Sequence, residues 1–161
     1  MNVGSYSQLT GEAEYRQAID TVLLKTEREL AIFDHDLAAL RLEEPARIAM
    51  LTTFLQRSPN ASLRIVVHDA HALNTRMPRL MKLAALHSTR AQVRSSPGNL
   101  RHLPDTHLLG DQSHGVRRFH RDHARCAMIL DDPAAIQPWQ KRFEELWELS
   151  RPCLNINTTG L

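Results

Sequence analysis

The sequence predicts an α/β fold: a mixed, mostly parallel sheet with helices on both faces. Three observations lead there. Stretches with apolar residues at helical spacing alternate with short apolar runs, helix then strand, three times in succession. Polar and proline-bearing turns separate them. Late in the chain, three strand-like pieces follow one another with only short turns between, which implies antiparallel additions at one side of the sheet. A chain of 161 residues, 42% of them hydrophobic, is long enough for one domain with a substantial core, and a single domain over 1–161 is expected.

Each element has its own warrant. Residues 12 to about 28 read as helix, with Tyr15, Ala18, Ile19 and Val22 on one face. "ELAIF" (29–33) follows as a short strand. "EEPARIAMLTTFLQR" (43–57) is a second helix, with Pro45 and two glutamates in its first turn and Ile48, Leu51 and Leu55 inward. After the turn "SPNAS", "LRIVV" (63–67) reads as a buried strand. Pro78 to Leu86 is a third helix, "AQVRS" (91–95) a third strand, and "SPGNLRHLPD" a loop. The three late strands are expected at Thr106–Asp111, Val116–His120 and Ala124–Leu130. Asp132 caps a last helix with Pro133 in its first turn. Trp139, Phe143, Leu146 and Trp147 give that helix a strong apolar stripe, and "CLNI" (153–156) closes the chain as a strand.

Composition excludes several classes. The longest apolar runs, such as Ile65–Val67 and Ala127–Leu130, fall far short of the roughly 20 residues a membrane-spanning helix needs. The start of the chain lacks a basic stretch followed by an apolar one, so no signal peptide is expected. Two cysteines, Cys126 and Cys153, do not form a disulfide framework, and a cytoplasmic location is expected. No Gly-rich phosphate loop, G-x-S-x-G elbow or dinucleotide fingerprint is present, so no cofactor is expected. Net charge is only +2, but the span from Arg90 to Arg125 holds seven arginines against three aspartates, with five of the nine histidines. That surplus marks a candidate anion-binding surface; arginines of half-exposed strands facing water are the bland alternative.

The order of late elements resembles one half of the phospholipase D-like fold. "THLLGD" stands as a His-bearing strand, followed by "VRRFH", "CAMILDDPAAI", a helix reading "FEELWELS" and "CLNI". The F-x-x-x-W-x-x-S phrase (Phe143, Trp147, Ser150) before a closing strand is common in such domains. The resemblance is to short, divergent bacterial members. Active members of that family carry H-x-K-x-x-x-x-D, in which a histidine attacks phosphorus and a lysine two places on neutralises the oxygens from the same strand face. His107 aligns best with the nucleophile. Leu109 then occupies the lysine place and His114 the aspartate place. None of the nine histidines is followed two places on by lysine, and the whole chain has only Lys25, Lys82 and Lys141. The resemblance therefore implies a fold whose phosphodiesterase motif is degenerate, and a homodimer, since single-motif members pair.

Two further readings stay open. His120, His123 and Cys126 are zinc-ligand types spaced three apart, but on strands that spacing sends neighbours to opposite faces, and no C-x-x-C pair supports it. The clusters "DHD" (34–36) and "HDAH" (68–71) follow parallel strands, at the edge where α/β sheets gather ligands; helix-capping turns have the same composition. The expected function is a non-catalytic phospholipase D-like module that binds an anion (a phosphorylated ligand or nucleic acid) or a protein. Its expected ligand residues are His107, Asp111, Arg118 and His120, with Arg118 and His120 on one strand face. An enzyme working through His107 with Asp111, or through a metal at His120 and His123, is the alternative.

Overall fold

The computed structural model describes residues 4–153. In chain order the elements are β1 (Ser5–Leu9), α1 (Glu12–Lys25), β2 (Glu29–Asp34), α2 (Pro45–Arg57), β3 (Ser62–Val67), α3 (His71–Arg76), α4 (Pro78–Leu86), β4 (Ala91–Ser95), β5 (Thr106–Gly110), β6 (His114–Arg118), β7 (Cys126–Leu130), α5 (Pro133–Leu149) and β8 (Arg151–Pro152). They form one eight-stranded mixed sheet in the order β1-β7-β6-β5-β2-β3-β4-β8. Only β2–β3 and β3–β4 pair in parallel; the other five pairings are antiparallel. The sheet is thus mixed, as expected, but its parallel share is confined to three central strands. The physical reason is the late run of strands joined by short turns, which can only be antiparallel.

Strand alternation divides the interior. Leu30, Ile32, Leu63, Ile65, Leu108 and Val116 point to one face, where α1, α2 and α4 cover them. Ala31, Phe33, Val66 and Leu109 point to the other, where Phe143, Leu146 and Trp147 of α5 lie. The stripe on α5 is therefore core, and Asp132 caps that helix by accepting the Ala135 N–H at 3.1 Å. Most arginines of the sheet are absorbed by this packing. Arg64 makes a double hydrogen bond to Glu144 at 2.6 and 2.8 Å. The guanidinium of Arg94 lies 3.9 Å from the Trp147 ring centroid.

Differences from the expected elements are local. Residues 5–9 form an edge strand that the polar "SYSQL" does not announce, and α3 is a six-residue helix hidden in "HALNTR". The β6 strand starts and ends two residues before its expected place, so His120 lies beyond it. Leu154 to Ile156 lie outside the described residues; the short β8 precedes them.

Close approach fixes two glycines. A Cβ on Gly110 would stand 1.9 Å from Thr26 Oγ1, and one on Gly115 2.7 Å from Leu109 Cδ2 and 3.0 Å from Ile136 Cδ1. Gly110 lets β5 pass under the end of α1, and Gly115 lets α5 settle on β6. Gly110→Ala is expected to cost several kcal/mol, since Thr26 is held by its own bond to Val22 O. Urea denaturation reads this directly, and adding Thr26→Ala should recover part of the loss.

Candidate functional site

The parallel strands β2, β3 and β4 end at one edge of the sheet. Pairing brings other elements there too: Phe33 sits opposite His107 at the start of β5, Thr106 opposite Arg118 at the end of β6, and Cys126 opposite both Arg118 and Leu9. This edge therefore collects His35, His68, Ser96, His107, Arg118 and the turn 119–125. In open α/β sheets it is also the edge where ligands bind.

The four residues singled out from the sequence do not share one cleft. His107 points to the α5 face, 1% exposed, with its ring 5.3 Å from that of Phe33 and 5.9 Å from that of Phe143. Neither of its ring nitrogens meets a hydrogen-bond partner among the described residues. Burial pulls its pKa down to about 3, with Asp105 opposing and Arg117 and Arg142 assisting, so the ring is neutral near pH 7. Arg118 points to the opposite face, over the Tyr15 ring at 5.1 Å. Adjacent strand residues alternate, so Arg117, and not Arg118, shares the His107 face.

Asp111 is also displaced from its expected role. It leaves the strand at Gly110, in a turn where Asp111 and Gln112 both have positive φ, at 53° and 56°. Its carboxylate accepts the backbone N–H groups of Glu27, Arg28 and Glu29 at 2.8, 2.7 and 2.9 Å. That ties the start of β2 to the far end of the sheet, roughly 13 Å along β5 from His107. His114, in the same hairpin, accepts the Asp131 N–H at 3.2 Å and stays buried, which lowers its pKa. The His107–Asp111 pairing of the enzyme alternative is thus not formed.

Around His107 a different acid is placed. Asp105, 5% exposed, accepts two hydrogen bonds from Arg142 at 2.8 and 3.0 Å and one from Arg117 at 3.4 Å. Burial is the largest influence and works against its charge, but the Arg142 hydrogen bonds together with the charges of Arg142 and Arg117 hold the carboxyl below its ordinary value. Asp105 stands two places before His107 in the sequence, immediately ahead of β5. The "DHD" and "HDAH" clusters are likewise structural. Asp34 accepts the N–H of Leu37 at 2.6 Å, and burial raises its pKa. His68 lies between Ser96 Oγ at 2.5 Å and Leu103 O at 3.2 Å.

What the edge leaves open is the turn between β6 and β7. A pocket of about 490 Å³ there is lined by Thr10, Phe119, His120, His123, Ala124 and Arg125. Arg118 does not line this pocket but holds the turn that does. The buried guanidinium pairs with both Glu12 oxygens at 2.8 and 3.2 Å, and its Nε donates to the carbonyls of His123 at 2.6 Å and His120 at 3.4 Å. The His120 and His123 rings stand 5.0 Å apart. His120 Nδ1 accepts the Asp122 N–H at 3.1 Å, so the ring proton sits on Nε2, where it can serve a ligand. Among the described residues no three His, Cys, Asp or Glu side chains gather as metal ligands, and Cys126 is buried. A larger pocket of about 590 Å³ lies at the opposite end, between the β5–β6 turn and α5, and contains no histidine.

Two variants test this account. His107→Leu is expected to match or exceed the wild type at pH 7, because it removes two unpaired buried nitrogens. With the folded pKa of His107 depressed from 6.5 to about 3, the unfolded chain binds the extra proton in that window, so stability falls as pH drops below about 6.5. His107→Leu should shrink that fall in chemical denaturation across pH; His68 and His114, also lowered by burial, leave a remainder. Arg118→Ala should cost about 2 kcal/mol, discounted because Glu12 is half exposed, and should loosen the turn 119–125 to proteolysis.

Comparison with known proteins places the fold. The chain is similar to TrmBL2, an archaeal chromatin protein whose structure shows a novel mode of DNA binding, at 13% identity and a TM-score of 0.67; the match covers 91% of this chain and 53% of that one, so the chain spans about half its length. It is similar to Nuc from Salmonella typhimurium, a phospholipase D family member, at 12% identity and a TM-score of 0.66, over 93% of this chain and 98% of that one. NucT from Helicobacter pylori matches at 10% identity and a TM-score of 0.59, over 93% and 99%. The fold is thus phospholipase D-like, as the late strands and the closing helix imply. No curated protein matches the sequence. By sequence the chain belongs to the family described as Domain of unknown function (DUF7931), which matches residues 11–158.

Proposed function

We propose that the chain is a non-catalytic binding module of phospholipase D-like fold, that its ligand carries phosphate, nucleic acid foremost, and that the ligand binds at the β6–β7 turn. The observation that carries this reading is the split among the arginines. Arg90, Arg94, Arg117 and Arg118 are engaged with carbonyls, carboxylates or aromatic rings of the protein. Arg101, Arg121 and Arg125 are exposed, and their side chains make no hydrogen bond or ion pair among the described residues. Arg125 lines the pocket together with His120 and His123, Arg121 stands in the same turn, and only Asp122 offsets the two there. Guanidinium groups left to solvent around a concavity suit phosphate through their planar forks.

Loss of catalysis is supported by chemistry. The family mechanism needs a lysine two places after its histidine, and Leu109 stands there. His107 is sealed beneath α5 on the face opposite Arg118. The likeness to a chromatin protein supports nucleic acid as the ligand. The pairing of two copies that the family resemblance implies would set two such pockets in one assembly; sedimentation at micromolar concentration checks it.

Fluorescence anisotropy with labelled DNA and RNA over a salt series tests the reading. Affinity should fall steeply with salt, and Arg121→Ala and Arg125→Ala should each flatten the log–log slope by about 0.9. Absence of salt-sensitive binding to either polymer would remove the proposal. Turnover of a phosphodiester substrate, abolished by His107→Leu, would favour the enzyme reading in its place.

A further inference from the structure

We infer that the ligand at the β6–β7 pocket is single-stranded nucleic acid, with a base stacked on Phe119 and the adjoining phosphate on His120 and Arg125. The inference rests on the phosphate-binding reading above and specifies its ligand. Phe119 is 43% exposed and stands in the pocket wall. The other large apolar side chains exposed among the described residues, Tyr6, Leu24, Leu86 and Leu149, do not line this pocket. A phenylalanine left in water at a turn contributes little to the fold.

Its surroundings turn it into a platform. The Arg117 guanidinium lies 5.4 Å from the ring centroid and is itself held by Asp105. His120 and Arg125 line the same pocket as the ring and carry N–H donors. The flat apolar ring and the adjacent cationic and N–H donors match the two parts of a nucleotide, base and phosphate. Proteins that bind single strands use this combination, because every base has a face to stack.

The shape favours a single strand over groove readout of a duplex. Groove readout needs a protruding helix or ribbon, and this edge presents a concavity of about 490 Å³ at a turn. That volume falls in the range of small-ligand sites, about 300–1,000 Å³. In a duplex the base faces are already covered by their neighbours, so Phe119 would have nothing to stack on.

The test compares four probes by anisotropy: a short oligothymidylate, a duplex of the same length, an abasic phosphodiester strand of that length, and inorganic polyphosphate. The oligothymidylate is expected to bind about five- to a hundredfold tighter than the abasic strand. Phe119→Ala should erase that difference and Phe119→Trp should keep or widen it, while Arg125→Ala weakens both strands alike. If abasic and thymidylate strands bind equally and Phe119→Ala changes neither, the stacking inference is overturned and phosphate binding stands. Duplex binding as tight as the single strand also overturns it. If no probe binds, both readings fall together.

Discussion

The buried guanidinium of Arg118 is the interaction on which the candidate site depends. A cation with 6% of its side chain exposed must be paired and fully hydrogen-bonded to remain charged there. Its partners come from separate parts of the chain: the first turn of α1 through Glu12, and the turn 119–125 through two carbonyls. One side chain thus joins α1, the end of β6 and the turn that carries His120 and His123. Tyr15 beneath it hydrogen-bonds Thr106 of β5 at 3.1 Å, which ties the same point to the next strand. The pocket is the outer surface of this linkage.

The neighbouring Arg117 shows how strictly the sheet divides such roles. One residue earlier on the strand, it faces α5 and joins Arg142 on Asp105. That cluster surrounds a histidine with no hydrogen-bond partner for either nitrogen among the described residues, packed between phenylalanine rings. The arrangement keeps His107 neutral and out of reach of solvent. It is a core histidine at the place to which the family resemblance assigns a nucleophile. A charged form there would lose its hydration and gain only the partial compensation of Asp105, already shared by two arginines.

Function then falls to the groups that the fold does not consume. A count of basic residues over 90–125 overstates the surface charge, because about half of them stabilise carbonyls, carboxylates and an indole ring inside the protein. Of the remainder, Arg101 lies in the loop before β5, and Arg121 and Arg125 stand in the turn between β6 and β7. A turn can place adjacent residues side by side, which a strand cannot do; His120, His123 and Phe119 converge for this reason.

By itself the sequence determined the elements whose signals are local. The period of Phe143, Leu146 and Trp147, the Asp132 cap and Pro133 define α5; the bounds of α4 and β4 follow from Pro78 and from the alternation of "AQVRS". It also determined that no lysine stands two places after His107. The polar β1 and the single-turn α3 were not legible, because each is held by its neighbours and carries no period of its own. The place of β6 was not legible either: "HGVRR" and "VRRFH" alternate equally well, and only pairing with β5 through the turn at Asp111 selects the first. That two-residue choice decided the site. It puts Arg118 at the strand's last position and frees His120 for the turn, while the pairing of His107 with Arg117 sends His107 and Arg118 to opposite faces, a register set by long-range hydrogen bonds that no local pattern encodes.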